Sequence, residues 1–183
     1  MATKIDLTDF TRKIDAISRT YKTLPNEIAA VAVNFSKERF VSQSWLDTTK
    51  ENWKPRKRQR KSTHGHRTKN QTLLVHTGRL KRSIRKISAD ESQVIIGSDV
   101  PYAQIQNDGG TINKAVAIKS HQVNQFSRTR KGRRETVKEH EVKSHTRKMN
   151  TTIPSRRFLG TSYTLSKRII NLITARFMRA LKS

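Results

Sequence analysis

The chain contains no cysteine, so disulfide staples and thiolate metal sites are excluded, and little follows about its redox compartment. It also lacks a long apolar run: nothing approaches the roughly 18–20 residues of a membrane span. Asp6 and Asp9 stand where a secretory leader would need apolar residues. The expectation is a protein made in the cytoplasm with no membrane partner. Acidic residues are scarce, 14 against 39 Lys and Arg, and those beyond the N-terminal helical region are widely separated. An enzyme needs acid, base or nucleophilic groups that converge, and a nuclease needs carboxylates spaced for metal ions. No such spacing occurs, so neither catalysis nor a bound cofactor is expected. His64 and His66 lie together without a third ligand nearby in the chain, which makes a poor metal site. Aromatic residues make up 6% of the chain, and Phe126 is alone in the second basic segment, so stacking platforms for single strands are missing.

What the chain does have is positive charge, formally +25 at pH 7 in 183 residues, with 33% apolar residues that allow a modest core in one domain over 1–183. Residues 1–49 carry seven Lys or Arg against six acidic groups, and residues from 50 onward carry 32 against eight. Such a field draws in polyanions and, without one, opposes compaction by self-repulsion. Nucleic acid is the favoured neighbour. A solvated or lumen-facing surface, or acidic protein neighbours in an assembly, would also accommodate the charge.

Leu7, Phe10, Ile14, Ile17, Tyr21 and Leu24 are spaced three and four apart, which places them on one stripe of an amphipathic helix. Pro25 lacks an amide donor and clashes with the preceding turn, yet it suits the opening of a new helix. The pattern continues over 26–44 with Ile28, Val31, Ala32 and Phe35 inward, so a kinked long helix or a helical hairpin satisfies it. Trp45 to Trp53 reads as polar and turn-like. Residues 54–70 hold no aliphatic side chain and cannot offset their own ordering entropy, which predicts a mobile loop. It is either a phosphate-binding arm or a solvated excursion. Its candidate DNA-facing residues are Lys54, Arg56, Lys57, Arg58, Arg60 and Lys61.

Thr77-Gly78 predicts a tight turn in which glycine can take positive φ. From Leu80 to Ser88, Leu80, Ile84 and Ile87 suit a helical turn entering a strand, Ala89-Asp90-Glu91-Ser92 a hairpin loop, and residues 93–97 the returning strand. Pro101 opens a short helix with Tyr102 and Ile105 on one face, and Gly109-Gly110 ends it. Thr111 to Ile118 alternates as a third strand would. Residues 119–150 then carry ten basic and three acidic groups, and exceed the about 12–15 residues usual for an unstructured connection, which argues that they reach a partner. Val137 and Val142 suggest an arm of a long hairpin that rejoins the sheet near Ile153. Its DNA-facing candidates are Arg128, Arg130, Lys131, Arg133 and Arg134. A closing helix from about Thr161 to Leu181 has the stripe Leu165, Ile169, Leu172, Ile173, Phe177 and Leu181, and no acidic residue follows Glu141. The expected fold is α+β: N-terminal helices and a C-terminal helix packed on a small, mostly antiparallel sheet, with long basic loop insertions.

Four signatures in order resemble the phage virion morphogenesis, or tail-completion, family and related head–tail connector proteins of tailed phages. They are Trp53-Lys54-Pro55; Leu73-Leu74 with Thr77-Gly78-Arg79-Leu80 and Ser83-Ile84; Gly97 with Pro101-Tyr102-Ala103 and Gly109; and Ile153-Pro154-Ser155-Arg156 with Phe158-Leu159-Gly160. The resemblance spans about residues 30–181. Gln106 stands where the family often has histidine, and the segment 119–150 is long for it. The resemblance implies a structural virion protein forming a homo-oligomeric ring, often hexameric, at the neck, between tail tube and portal or adaptor, with genomic DNA in the lumen. Tyr102, Gln106, Arg156, Arg157 and Phe158 are the candidate subunit-interface residues. A packaging or other sequence-independent nucleic-acid-binding protein is the rival reading.

Overall fold

A computed structural model describes residues 7–55, 72–130 and 132–182. The phosphate-arm candidates Arg56, Lys57, Arg58, Arg60 and Lys61, and Lys131 of the second segment, lie outside the described residues. The fold is α+β, with long helices at both ends of the chain and several small antiparallel sheets between them. It divides into two compact units, Met1–Gly109 with Pro154–Ser183, and Gly110–Ile153.

In the first unit, α1 runs unbroken from Thr8 to Ser42 with Pro25 inside it, so the helical hairpin does not occur. The helix is tied down on its C-terminal side: Leu24, Ala29, Ala32, Phe35 and Phe40 are buried, whereas Leu7, Phe10, Ile14 and Tyr21 of the same stripe are exposed. Gln43 ends it in the left-handed region at φ 52. The segment read as a polar turn is instead a tight hairpin, β1 (Ser44–Leu46) against β2 (Lys50–Asn52), which buries Trp45 and leads into buried Trp53. After α2 (Arg79–Ser83) come β3 (Arg85–Ala89) and β4 (Val94–Gly97), paired antiparallel as expected, and α3 (Ala103–Asp108). Gly78 has φ 69 immediately before α2, and Gly109 has φ 77 as the cap of α3, both conformations that a Cβ disfavours.

Phe40, Trp53, Leu80, Ile84, Val100, Ala103 and Phe158 form the core, drawn from α1, α2, α3 and the segments beside them. The Phe40 ring meets Trp53 edge-on at 5.6 Å between centroids and lies 5.0 Å from Phe158. The final helix, α4 (Tyr163–Lys182), packs along α1. Arg168 pairs with Glu38 at 2.9 Å and Arg176 with Glu27 at 2.6 Å, so partner numbers fall along α1 as they rise along α4, and the two helices run antiparallel. These pairs are part-exposed, worth about 0.2–1 kcal/mol each, and mainly set the register.

The second unit is one long hairpin in three ladders. β5 (Gly110–Ile118) pairs with β10 (His145–Ile153), β6 (His121–Val123) with β9 (His140–Val142), and β7 (Phe126–Arg130) with β8 (Arg133–Val137). The hairpin expectation therefore holds, but among the described residues β5 does not join the β3–β4 pair, and five two-stranded sheets stand where a single small one was expected. Val116, Ile118, Val123, Val137, Val142 and Ile153 are half-buried, and the other described residues of this unit whose side chains are placed are exposed. Period-two alternation cannot distinguish a third strand from one half of a free ladder, because both bring one side chain in two to the same face.

Gly110 faces Ile153 across the first rung of the β5–β10 ladder, so the two ends of the unit are about 5 Å apart. Replacing residues 111–152 by a two-glycine link should leave a chain with undiminished helical circular dichroism and a cooperative urea transition. Loss of that transition would show that the first unit depends on the second.

Asp90 organises the β3–β4 turn: its Oδ1 accepts the Ser92 hydroxyl at 2.6 Å, the Gln93 N–H at 2.9 Å and the Ser92 N–H at 3.0 Å. These bonds, the Ser92 hydroxyl foremost, hold its carboxyl below the ordinary value of 3.8. The turn's contribution is thus complete at neutral pH and disappears as acid carries the solution down through the depressed value. Carboxyl titration by NMR should place Asp90 below a model aspartate, and Ser92→Ala should move it back upward.

Candidate functional site

The residues between β10 and α4 hold the first unit closed. Ser155 Oγ donates to the Asn107 carbonyl at 2.7 Å, and the Arg156 N–H donates to the Gln106 carbonyl at 3.0 Å. The side-chain oxygen of Asn107 accepts the N–H groups of Phe158 and Leu159, at 2.8 and 2.9 Å. Two successive amides on one carboxamide fix the direction in which Phe158 enters the core. From the other side the Trp53 indole donates to the Arg157 carbonyl at 2.9 Å, and the Arg156 guanidinium reaches the Lys54 carbonyl through Nε and Nη2, at 3.2 and 3.1 Å. The signatures beginning at Trp53 and Ile153 meet in this network directly, and the one beginning at Gly97 only through Gln106 and Asn107 of the helix it opens.

The remaining signature is positioned by Gln43. Its carboxamide oxygen accepts the Leu73 N–H at 2.7 Å while its Nε2 donates to the Leu73 carbonyl at 3.2 Å, as a neighbouring strand would. A cleft of about 340 Å³ opens beside it, lined by Leu73, Leu74, His76, Thr77, Arg79, Leu80, Tyr102, Gln106 and Arg156. It joins an apolar floor to cationic and hydroxyl groups and has no carboxylate in its wall. That chemistry suits an apolar side chain with an adjoining acidic or carbonyl oxygen. Among the described residues no group of three His, Cys, Asp or Glu side chains is placed to hold a metal ion.

The predicted interface residues separate. Tyr102 is exposed and Gln106 half-buried, and both face the cleft. Arg157 is exposed and stacks 4.5 Å over the Trp45 ring while donating to the Thr161 carbonyl. Phe158 is fully buried in the core of its own chain. Arg156 is likewise buried, its guanidinium directed to the Lys54 carbonyl of the same chain. Gln43 and Asn107 were missed, since a single carboxamide in a helix end carries no signal of what will pack beside it.

Of the DNA-facing candidates that are described, Lys54, Arg133 and Arg134 are exposed, and Arg128 pairs with Glu135 at 3.1 Å across the β7–β8 ladder. Arg130 stands opposite Arg133 in that register. The second unit, which holds all of these but Lys54, has eleven Lys and Arg against three acidic residues. It is a cationic ribbon.

These residues define a scaffold closed by main-chain bonds, carrying a charged arm. The chain belongs to the phage virion morphogenesis family, which it matches over residues 5–178. No curated protein and no solved structure matches it. Family membership gives it a role in phage virion morphogenesis and an association with the virion. Among the described residues no helix is long and apolar enough to cross a membrane.

Replacing Asn107 by alanine strands two backbone donors in the core-facing loop. Stability should fall by about 2 kcal/mol, read as a lower urea midpoint with unchanged slope.

Proposed function

We propose that this protein is a structural, non-catalytic component of the phage neck: a ring that completes the tail and joins it to the portal or adaptor complex around the DNA channel. The observation that carries the reading is the combination of virion-morphogenesis membership with a largely exposed cationic ribbon. The signature residues are spent on closing the scaffold, which is what a building block requires. Lys54, Arg128, Arg133 and Arg134, with the neighbouring basic residues 56–61 and 130–131, are the groups assigned to DNA in the lumen, through phosphates and without base readout. Tyr102, Gln106 and Arg157 remain for contacts to neighbours, tail tube and portal or adaptor included.

The same ribbon also supports a second reading, a sequence-independent nucleic-acid-binding or packaging protein. A variant lacking residues 54–70 separates the two. On the neck reading it folds, yet leaves heads and tails unjoined in electron micrographs of lysates; intact infectious particles would sink that role for the segment. Tight, saturable duplex binding by the purified monomer at physiological salt favours the second reading, whereas binding erased by salt favours the first.

A further inference from the structure

The apolar stripe of α1 outlasts the protein that covers it. Leu7, Phe10, Ile14, Ile17, Tyr21, Leu24, Ile28, Val31 and Phe35 alternate three- and four-residue steps without a break, the spacing of a helix seam made for another helix. The C-terminal half of that seam is packed within the chain, but Phe10 is 61% and Ile14 47% exposed. Beside Tyr21, Leu24 and Ile28 the stripe enters a cleft of about 280 Å³ whose opposite wall is the β3–β4 loop with Asp90 and Glu91.

α4 is the complement of that surface. Arg168, Leu172, Arg176 and Ala180 are four apart and form the row turned to α1, as the Glu38 and Glu27 pairs and the burial of Ala180 require. Tyr163, Ile170, Met178 and Leu181 fall within about 80° of one another on nearly the opposite side. There Ile170 is 61% and Met178 51% exposed. Lys167 lies on this outer stripe and Lys182 beside it, and α4 has no acidic residue.

We propose that α1 from Leu7 to Leu24, with the acidic β3–β4 loop, is the docking surface for the outer face of α4 of a second copy of this chain. Charge selects the occupant. A chain of net charge +25 repels its copies everywhere except near its acidic groups, and residues 1–49 are close to neutral. Within one chain, α1 carboxylates already meet α4 guanidiniums; Asp15, Asp90 and Glu91 repeat that pairing outward, toward Lys167 and Lys182. Lengths agree as well, about 21 Å for residues 7–21 and about 27 Å for 163–181. Each copy keeps one donor face and one acceptor face, so the contact is head-to-tail, and it closes into a ring when the rotation permits. The inference rests on the ring reading for its setting and supplies that ring's contact.

Sedimentation equilibrium of the full chain tests it. The wild type should self-associate, and both Phe10→Asp with Ile14→Asp, and Ile170→Asp with Met178→Asp, should weaken association by about a hundredfold or more. All four positions are exposed, and circular dichroism confirms that each variant is folded. A one-to-one mixture of the two variants should restore association but stop at the dimer, because each keeps the face the other lacks. Oligomers that survive the α1 variant, or an α4 variant that associates as wild type, overturn this interface and leave the ring reading standing on another contact. A wild type that stays monomeric overturns the interface and counts against the ring itself.

Discussion

Everything in the first unit depends on Phe158 reaching the ring of Phe40. Phe158 comes from the segment entering the last helix, Phe40 from the first helix, and Trp53 from the strand hairpin that follows it, so this one contact joins three distant parts of the chain. An aromatic cluster holds such a junction well because burial is large and edge-on geometry adds to it, but it is indifferent to direction. Direction comes from the hydrogen bonds around it. Asn107 takes two amides of the incoming loop, Trp53 takes its carbonyl, and Arg156 reaches back to the chain beside Trp53. Each satisfies a main-chain group that burial would otherwise strand.

A basic chain faces a particular difficulty in building such a core. Its charge opposes compaction, and its few carboxylates must be placed where they neutralise most. The structure puts Glu27 and Glu38 against α4, the most uniformly basic helix, and Asp47 at the start of that helix, where its carboxylate accepts the Tyr163 N–H at 2.6 Å. A carboxylate at a helix N-terminus meets both orphan donors and the positive end of the dipole. Guanidiniums are also laid on aromatic faces, Arg157 on Trp45 and Arg39, which pairs with Glu38, on Phe35. The remaining charge is exported to a hairpin that buries almost nothing. A ribbon of that kind is marginal on its own.

Local order was legible because its causes are local. The three- and four-residue spacing of α1 and α4, the Asp90 loop between two β-branched runs, and the glycines at 78 and 109 each act within a few residues, so the helices, the hairpin and the turns could be read directly. The four signatures identified the family for a related reason: residues that close a scaffold recur in a fixed order, whatever surface is built around them. The β1–β2 hairpin was less visible, since three-residue strands leave too little alternation between Trp45 and Trp53.

What the amino-acid order determined by itself was the helical seam, the paired strands of the β3–β4 turn, the surplus of positive charge and its concentration after residue 49. Tertiary structure alone decided which apolar residues were covered. Phe158 and Phe10 are both phenylalanines on recognisable patterns, yet one is sealed by Phe40 and the other stands in solvent, because α4 and the β3–β4 pair cover only part of α1. It decided as well that β5 would find β10 across a long excursion in place of β3 or β4, and that Arg156 would turn inward to a carbonyl of its own chain. Burial and pairing across such distances depend on where other elements end, and no periodicity within one segment records that.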